Sequence, residues 1–454
     1  MRAKRFIILL TILLSASSCS EFESYFPEMT EDRINRDINR WIHSIMSLYY
    51  FWASEIPDNI EKENISPVDF FNTLLSPQDR FSSIFRQGES IGGITGAVEN
   101  HGFQTVFGFI DEERTHIGGI ILYVFPNSTA EKEGVRRGDI FTAIDDVALT
   151  IDNFGSLFQK NEATFTFIRR ENGGNITFDK VLRRERQEVS PVHTTRVVEV
   201  GDARIGYLLY NQFVADSGDG SSRYIDELLA SFRYFKANDI NELVIDFRYN
   251  PGGLIEISAL MASLIVPNID ETKVALQLQF NERLQSLGRE ATLYFSYHPD
   301  AYVGNLINRV FFIVSSRTAS AGEAVINALL PYMEVILVGE TTYGKNFGSA
   351  LFTNNRHQGH RYSIMPTIIK ISNADGESYD GGFTPNHHIN EFRYPLRELG
   401  STQEPKLNYI LSSILMVYPE NRSVTRNVSS FFFSPITTIP PIKSIVYEFH
   451  KYER

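Results

Sequence analysis

A single cysteine in 454 residues, Cys19, excludes an intrachain disulfide and any cysteine-based metal cluster. Positive charge is also scarce. With 43 Lys and Arg against 55 Asp and Glu, the net charge is −12, and no clustered basic run offers the phosphate-neutralising surface that nucleic acid needs. Beyond the N-terminus there is no uninterrupted apolar stretch of about 18 residues, so nothing there reads as a transmembrane helix. Repeats and low-complexity tracts are missing too. The 43% hydrophobic and 22% charged residues are globular values. At roughly 100–200 residues per domain, the length accommodates two to four domains.

The N-terminus is different. Arg2, Lys4 and Arg5 precede an apolar run over 6–14, and Ser15, Ala16, Ser17 and Ser18 lead to Cys19. This is the layout of a secretory signal, with an apolar stretch too short to span a bilayer. A cysteine just past the small residues resembles a bacterial lipoprotein signal, although Ala16 stands where leucine is usual. Residues 1–18 read as that signal. The resemblance implies a lipid on the Cys19 thiol and anchorage in the cell envelope, at the outer membrane on its periplasmic or surface side. An ordinary cleaved signal with an incidental cysteine is the other reading.

Residues 19–90 read as a small helical domain. Thr30 is a candidate N-cap, and Ile34, Ile38, Trp41, Ile42, Ile45 and Met46 recur at helical spacing ahead of Pro57. A second short helix is predicted over 69–75. From 91 to 186 the pattern is β-rich, with strands over 103–110, 119–124 and 140–144, a capped turn at 128–134, a helix over 152–159 and a closing hairpin. Residues 187–400 alternate strands (205–209, 243–247, 310–314, 335–338) with helices (222–235, 254–265, 320–333). Continuous apolar strands between helices predict an α/β layer architecture with a buried sheet. Residues 401–454 carry no element signature.

In such folds, the loops after the C-terminal ends of parallel strands gather at one sheet edge, where active sites form. Three loops qualify: 248–253 with the pair Gly252-Gly253, 315–320 with Ser320 at a helix start, and 339–345 ending in Lys345. The helix after Ser320 runs about 20 Å and the next strand returns, so Lys345 can come back near Ser320. A serine at a helix N-terminus has free amides and a positive dipole beside it, which suits a developing oxyanion. A lysine in a dry pocket loses its charge and can accept the hydroxyl proton. On residues alone, Ser320 as a plain N-cap stays open. The Gly339 to Lys345 stretch also has Walker A spacing, but Asn346 stands where magnesium needs Ser or Thr.

The strings LVIDFRYNPGG (243–253), TASAGEAVINAL (318–329) and GETTYGKNFGS (339–349) resemble, in order, the three signature blocks of the S41 serine peptidases, the C-terminal processing or tail-specific proteases. VFGFI (106–110) and ILYVFPNSTAEKEGVRRGDIFTAID (121–145) are similar to a PDZ domain. The resemblance implies a crotonase/ClpP-like α/β peptidase core with an inserted β-rich PDZ-like domain and a small N-terminal helical domain, as in Bacteroidetes-type lipoprotein members. It implies Ser320 as nucleophile, Lys345 as general base, and amides of Ala321 and of Gly252 or Gly253 as the oxyanion hole. It implies no metal and no cofactor, and protein or peptide substrates. Many members carry Gln four residues after the lysine; here that position is Ser349, leaving Ser349 or Asn346 to orient Lys345. A catalytically weak or inactive peptide-binding lipoprotein on the same scaffold is the alternative.

In the PDZ-like part, Phe107-Gly108-Phe109 is placed for the loop that would hold a peptide's terminal carboxylate, with glycine permitting close backbone approach. A spacer role for that module is the other reading. His357, His360, His387 and His388 lack a carboxylate pattern for metal and read as solvated. Asp246 and Arg248 read as supports of the glycine loop, and Glu323 as a capping-box partner of Ser320.

Overall fold

The computed structural model describes residues 30–59, 64–86, 97–171, 174–289, 291–355, 361–393, 395–414 and 433–436. Cys19, His357 and His360 lie outside them. Among the described residues, no helix is long and apolar enough to cross a membrane.

The centre is a six-stranded sheet in the order Val192–Val200, Ala203–Tyr210, Glu242–Asp246, Arg309–Val314, Glu334–Gly339 and His387–His388. The first pair is antiparallel and every later pairing is parallel. Side chains alternate between two apolar layers, which is why the strands read as continuous apolar runs. Leu208, Leu243, Ile245, Val310 and Phe312 face helices Arg223–Ala237, Ile255–Ile265 and Ala321–Leu329. Tyr207, Leu209, Val244, Phe311 and Ile313 face the other way. Each such fully buried side chain contributes about 1.5–3 kcal/mol.

That second face is covered by the β-rich module and by helix Pro405–Ile414, which lies in the segment without an element signature. Its Leu407, Ile410 and Leu411 share a core with Ile120, Leu122 and Tyr123 of the module. The module has its own aromatic core of Phe103, Phe141, Phe165 and Phe167. Its sheet runs Ser434–Pro435, Phe103–Phe109, Ile117–Val124, Ile140–Ile144, Glu162–Glu171, Gly174–Arg183.

The N-terminal helices do not stand apart. Helix Glu31–Tyr49 buries Ile34, Ile38, Ile42 and Met46 against Phe70 and Phe71, and also against Tyr362 and Ile364 of strand Tyr362–Met365. Strand Ser83–Arg86 pairs with that same strand. The turn at 76–82 is thereby brought up to the sheet edge where the loops gather. The predicted helix over 320–333 is shorter, Ala321–Leu329.

Candidate active site

Side-chain and backbone bonds tie the three loops together. Ser315 Oγ donates to Arg248 O (2.5 Å) and Thr318 Oγ1 to Phe247 O (2.8 Å). Ala319 N–H donates to Asn250 O (3.0 Å), and Tyr343 N–H to Thr318 O (2.9 Å). Ser320 therefore has little freedom. It sits at φ 64°, ψ −119°, a conformation that glycine takes readily and an L-residue adopts only under constraint, at a cost of about 1–3 kcal/mol. The side chain is fully buried, and Oγ has no hydrogen-bond partner among the described residues.

Glycine is required opposite it. A methyl built on Gly252 (φ 104°) would lie 2.5 Å from Ser320 Cβ, 2.8 Å from its Oγ and 2.9 Å from Ala321 N. One built on Gly253 would strike Phe213 O at 2.1 Å. The Gly252 N–H already donates to Asn250 Oδ1 (2.8 Å), which leaves Gly253 as the pair's candidate among the predicted oxyanion donors, while Ala321 N lies beside Gly252.

Glu323 does more than cap a helix. Its Oε2 accepts the backbone N–H of Ser320 (2.8 Å) and of Lys345 (2.8 Å). Its Oε1 accepts Thr342 Oγ1 (2.5 Å) and Gly344 N–H (2.7 Å). Burial raises its pKa and these four donors oppose the rise; a carboxyl that accepts four bonds is held in its acceptor form. The structure thus brings the backbones of Ser320 and Lys345 to one carboxylate.

Lys345 is fully buried. Burial pulls its ammonium from the ordinary 10.5 down to about 7, against the opposing effect of Asp79 and Glu323. Its Nζ lies 5.2 Å from the centre of the Phe81 ring. Asp79 and Phe81 were not singled out from the sequence. Asp79 Oδ1 accepts the amides of Phe81 (2.8 Å) and Ser82 (3.0 Å) and the Thr367 hydroxyl (3.3 Å), while Tyr50 OH donates to Oδ2 (2.8 Å). The only local sign was the polar turn Ser76 to Ser82, in which Asp folds back on the backbone.

The two residues expected to orient the lysine differ. Asn346 Nδ2 donates to Ser378 Oγ (2.9 Å) and Asp380 Oδ1 (2.6 Å), so its amide is turned to that pair. Ser349 is buried, its Oγ has no hydrogen-bond partner among the described residues, and its strand register places it against Thr367. Beside Asn346 opens a cleft of about 450 Å³, lined by Phe51, Trp52, Phe81 and Phe347 with Arg80 and Lys370 among its polar residues.

Behind the glycine loop, Arg248 is fully buried and pairs with Asp246 (2.7 Å), Glu404 (2.7 Å) and Glu391 (3.2 Å). Glu391 also takes Arg137 of the β-rich module at 2.5 Å and Tyr249 OH at 2.5 Å. Burial alone would raise the Glu391 pKa, but Lys406, Arg137 and Arg248 hold it well below the carboxylate range. Phe107, Gly108 and Phe109 are not in a loop: they end strand Phe103–Phe109, close to the strand expected over 103–110, and themselves pair with Gly119, Gly118 and Ile117. His387 and His388 are exposed, His387 Nδ1 lying 2.9 Å from Tyr409 OH. Among the described residues no group of three or more His, Cys, Asp or Glu is placed to hold a metal ion.

Residues 204–389 match Peptidase family S41 and residues 37–83 the Peptidase S41 N-terminal domain, together just over half of the chain. The chain is 23% identical over 335 residues to carboxyl-terminal-processing peptidase 2, chloroplastic, of Arabidopsis thaliana, covering 71% of this chain and 58% of that protein. It is 25% identical over 264 residues to the carboxy-terminal processing protease CtpA of Bacillus subtilis, covering 57% and 51%. It spans between half and three-fifths of the length of these relatives. A crystal structure of a putative S41 protease from Bacteroides fragilis is similar at a TM-score of 0.70 and 24% identity, over 83% of this chain and 97% of that one. The site described above lies within the matched segments, and the chain belongs to peptidase family S41.

Proposed function

We propose that the protein is a serine endopeptidase in which Ser320 and Lys345 act as a pair. Neutral Lys345 takes the Ser320 proton as Oγ attacks a peptide carbonyl. The amides of Gly253 and Ala321 hold the tetrahedral oxyanion, and the protonated amine then gives its proton to the substrate's leaving nitrogen as the C–N bond breaks, leaving the acyl group on Ser320. Water hydrolyses the acyl-enzyme with the lysine again as base. The observation that carries this reading is the single Glu323 oxygen receiving both backbone amides, with the lysine buried and poised at about 7. A base whose pKa lies near the working pH combines availability with driving force.

Substrates are extended protein or peptide segments, captured in part by the PDZ-like module, and Cys19 carries the lipid that holds the protein in the cell envelope. Ser349 in place of glutamine favours a second, weaker reading, a peptide binder with little turnover. A serine-reactive phosphonate separates them. Labelling of Ser320, lost in Ser320→Ala and in Lys345→Met, together with cleavage of an unstructured peptide, is the expected result. Cleavage surviving in Ser320→Ala overturns the assignment.

A further inference from the structure

The sheet of the β-rich module ends on a strand that the chain supplies from far along its own sequence. Ser434 pairs with Phe109 and Pro435 with Gly108, antiparallel. Ile436 N–H donates to Phe107 O at 3.0 Å. Phe433 lies across the glycine: a methyl built on Gly108 would sit 2.6 Å from Phe433 Cζ and 2.7 Å from Ser434 O. The same ring lies 5.2 Å from that of Phe392 in the peptidase body. Three residues on, Ile436 joins Phe107, Phe154 and Phe158 on the module's aromatic core. One short segment thus has an aromatic anchor on the body and an aliphatic anchor on the module.

An open strand edge pairs with any extended chain whose side chains fit the flanking surface, because main-chain bonds supply affinity and the alternate side chains supply selectivity. Here the absent side chain at Gly108 makes room for the incoming backbone and ring. Proline at 435 suits an outermost strand, since it removes a donor from the exposed edge. A tethered ligand sees its groove at an effective concentration near the millimolar range, so it competes strongly even when its intrinsic affinity is modest.

We propose that the edge of Phe103–Phe109 is a peptide-binding groove whose resident ligand is the chain's own 433–436 segment, and that an extended substrate segment with an aromatic residue three positions before an aliphatic one binds by displacing it. This rests on the capture of peptides by the module proposed above, and it adds the occupant, the direction and the side-chain preference. The apparent affinity for an outside peptide is then reduced by the fraction of molecules whose groove is filled.

The test uses full-length protein carrying Ser320→Ala, so that hydrolysis plays no part, and a fluorescent peptide of sequence FFFSPITT read by anisotropy. Ile436→Asp places a charge against the aromatic surface and releases the resident strand. The peptide is expected to bind this protein at least tenfold more tightly than the parent. Phe433→Ala should give a smaller gain in the same direction, and Ile436→Val a change within about twofold; circular dichroism and the melting temperature check that each is folded. Adding Gly108→Val to Ile436→Asp should abolish binding. Equal affinity in the parent, Ile436→Asp and Phe433→Ala would overturn the resident-ligand proposal while leaving peptide capture standing. Binding by none of them, or binding that survives Gly108→Val, would remove the groove itself as the capture site.

Discussion

The backbone N–H groups of Ser320 and Lys345 donate to the same atom, Glu323 Oε2, each at 2.8 Å. Their nitrogens are therefore no further apart than twice that distance, although the residues come from different loops. The carboxylate stands between the two residues and fixes the register of one against the other. Glu323→Gln tests this. An amide can present one acceptor oxygen, but its NH₂ would face donors, leaving two of four buried donors unsatisfied at about 1–3 kcal/mol each. The expected outcome is a Tm lower by several degrees and kcat reduced roughly 100-fold, with KM little changed, because positioning and not binding is lost. Unchanged kcat would mean that the shared oxygen is structural only.

The lysine sets the pH response. At about 7 in the folded protein, Lys345 is cationic below and neutral above. The log of kcat/KM is expected to rise with unit slope up to roughly pH 7 and then level, since only the neutral amine accepts a proton. Stability moves in the same direction. Unfolding returns the amine to 10.5, so between about 7 and 10.5 the unfolded chain binds more protons, and stability rises with pH across that window. Below about 7 the full penalty of a buried ammonium persists. Lys345→Met is expected to be inactive yet more stable at neutral pH, by about 1–4 kcal/mol. Denaturant titrations at pH 6, 8 and 10 on both proteins check the sign.

Asp79 acts on the same titration from the N-terminal segment. Its negative charge favours the ammonium form of Lys345. Asp79→Asn keeps an acceptor for the amides of Phe81 and Ser82, and Tyr50 OH can accept from the new NH₂, so the turn is expected to persist. Without the carboxylate charge, the acid limb of the kcat/KM profile should shift to lower pH by up to about one unit. A limb that stays in place would show that Asp79 holds the turn without influencing the base.

Ser320 stores strain at φ 64°, ψ −119°. Ser320→Ala retains that strain, whereas Ser320→Gly removes it and gives back a fraction through a more flexible unfolded chain. Both are expected to be inactive. The glycine variant should be more stable than the alanine variant by roughly 1 kcal/mol, measured by chemical denaturation. Equal stabilities would mean that the loop relaxes freely and that Ser320 is not held under constraint.

Local pattern made the layered core readable, because strands buried on both faces are apolar at every position and helices between them keep their own period. Ser320 and Lys345 stand out in the sequence because each lies in a motif with internal order. What stayed hidden depends on residues distant in sequence. Glu323 matches an ordinary helix start until the chain returns at 342–345 to fill its other oxygen sites. Asp79 sits in a polar turn that gains meaning only when the N-terminal helices pack on Tyr362–Met365. The PDZ likeness places Phe107 to Phe109 in a loop while the local pattern reads 103–110 as a strand, and the strand is what forms; its Gly108 is where another strand approaches. Pro405–Ile414 hides its apolar stripe beside Lys406 and Asn408, and Lys406 is buried with Nζ toward Val314 O at 3.4 Å.

The buried charges around Arg248 give the last test. Arg137 from the module and Arg248 from the glycine loop meet on Glu391, and Arg248 also neutralises Asp246 and Glu404. Removing one member of such a set leaves the others buried without compensation, at about 3–5 kcal/mol. Arg248→Met strands Asp246 and Glu404, Glu391 keeping Arg137, and is expected to unfold most of the protein at 37 °C. Arg137→Met strands only part of the charge on Glu391, which Arg248 and Lys406 still offset. That variant should therefore fold with a lower Tm. Because Tyr249 OH bonds the same carboxylate and Tyr249 adjoins Asn250, whose carbonyl and amide hold Ala319 and Gly252, loosening at Glu391 should reach the backbone beside Ser320. A severalfold fall in kcat at temperatures well below Tm is the expected result. An unchanged kcat with the same fall in Tm would confine the network to holding module and core together.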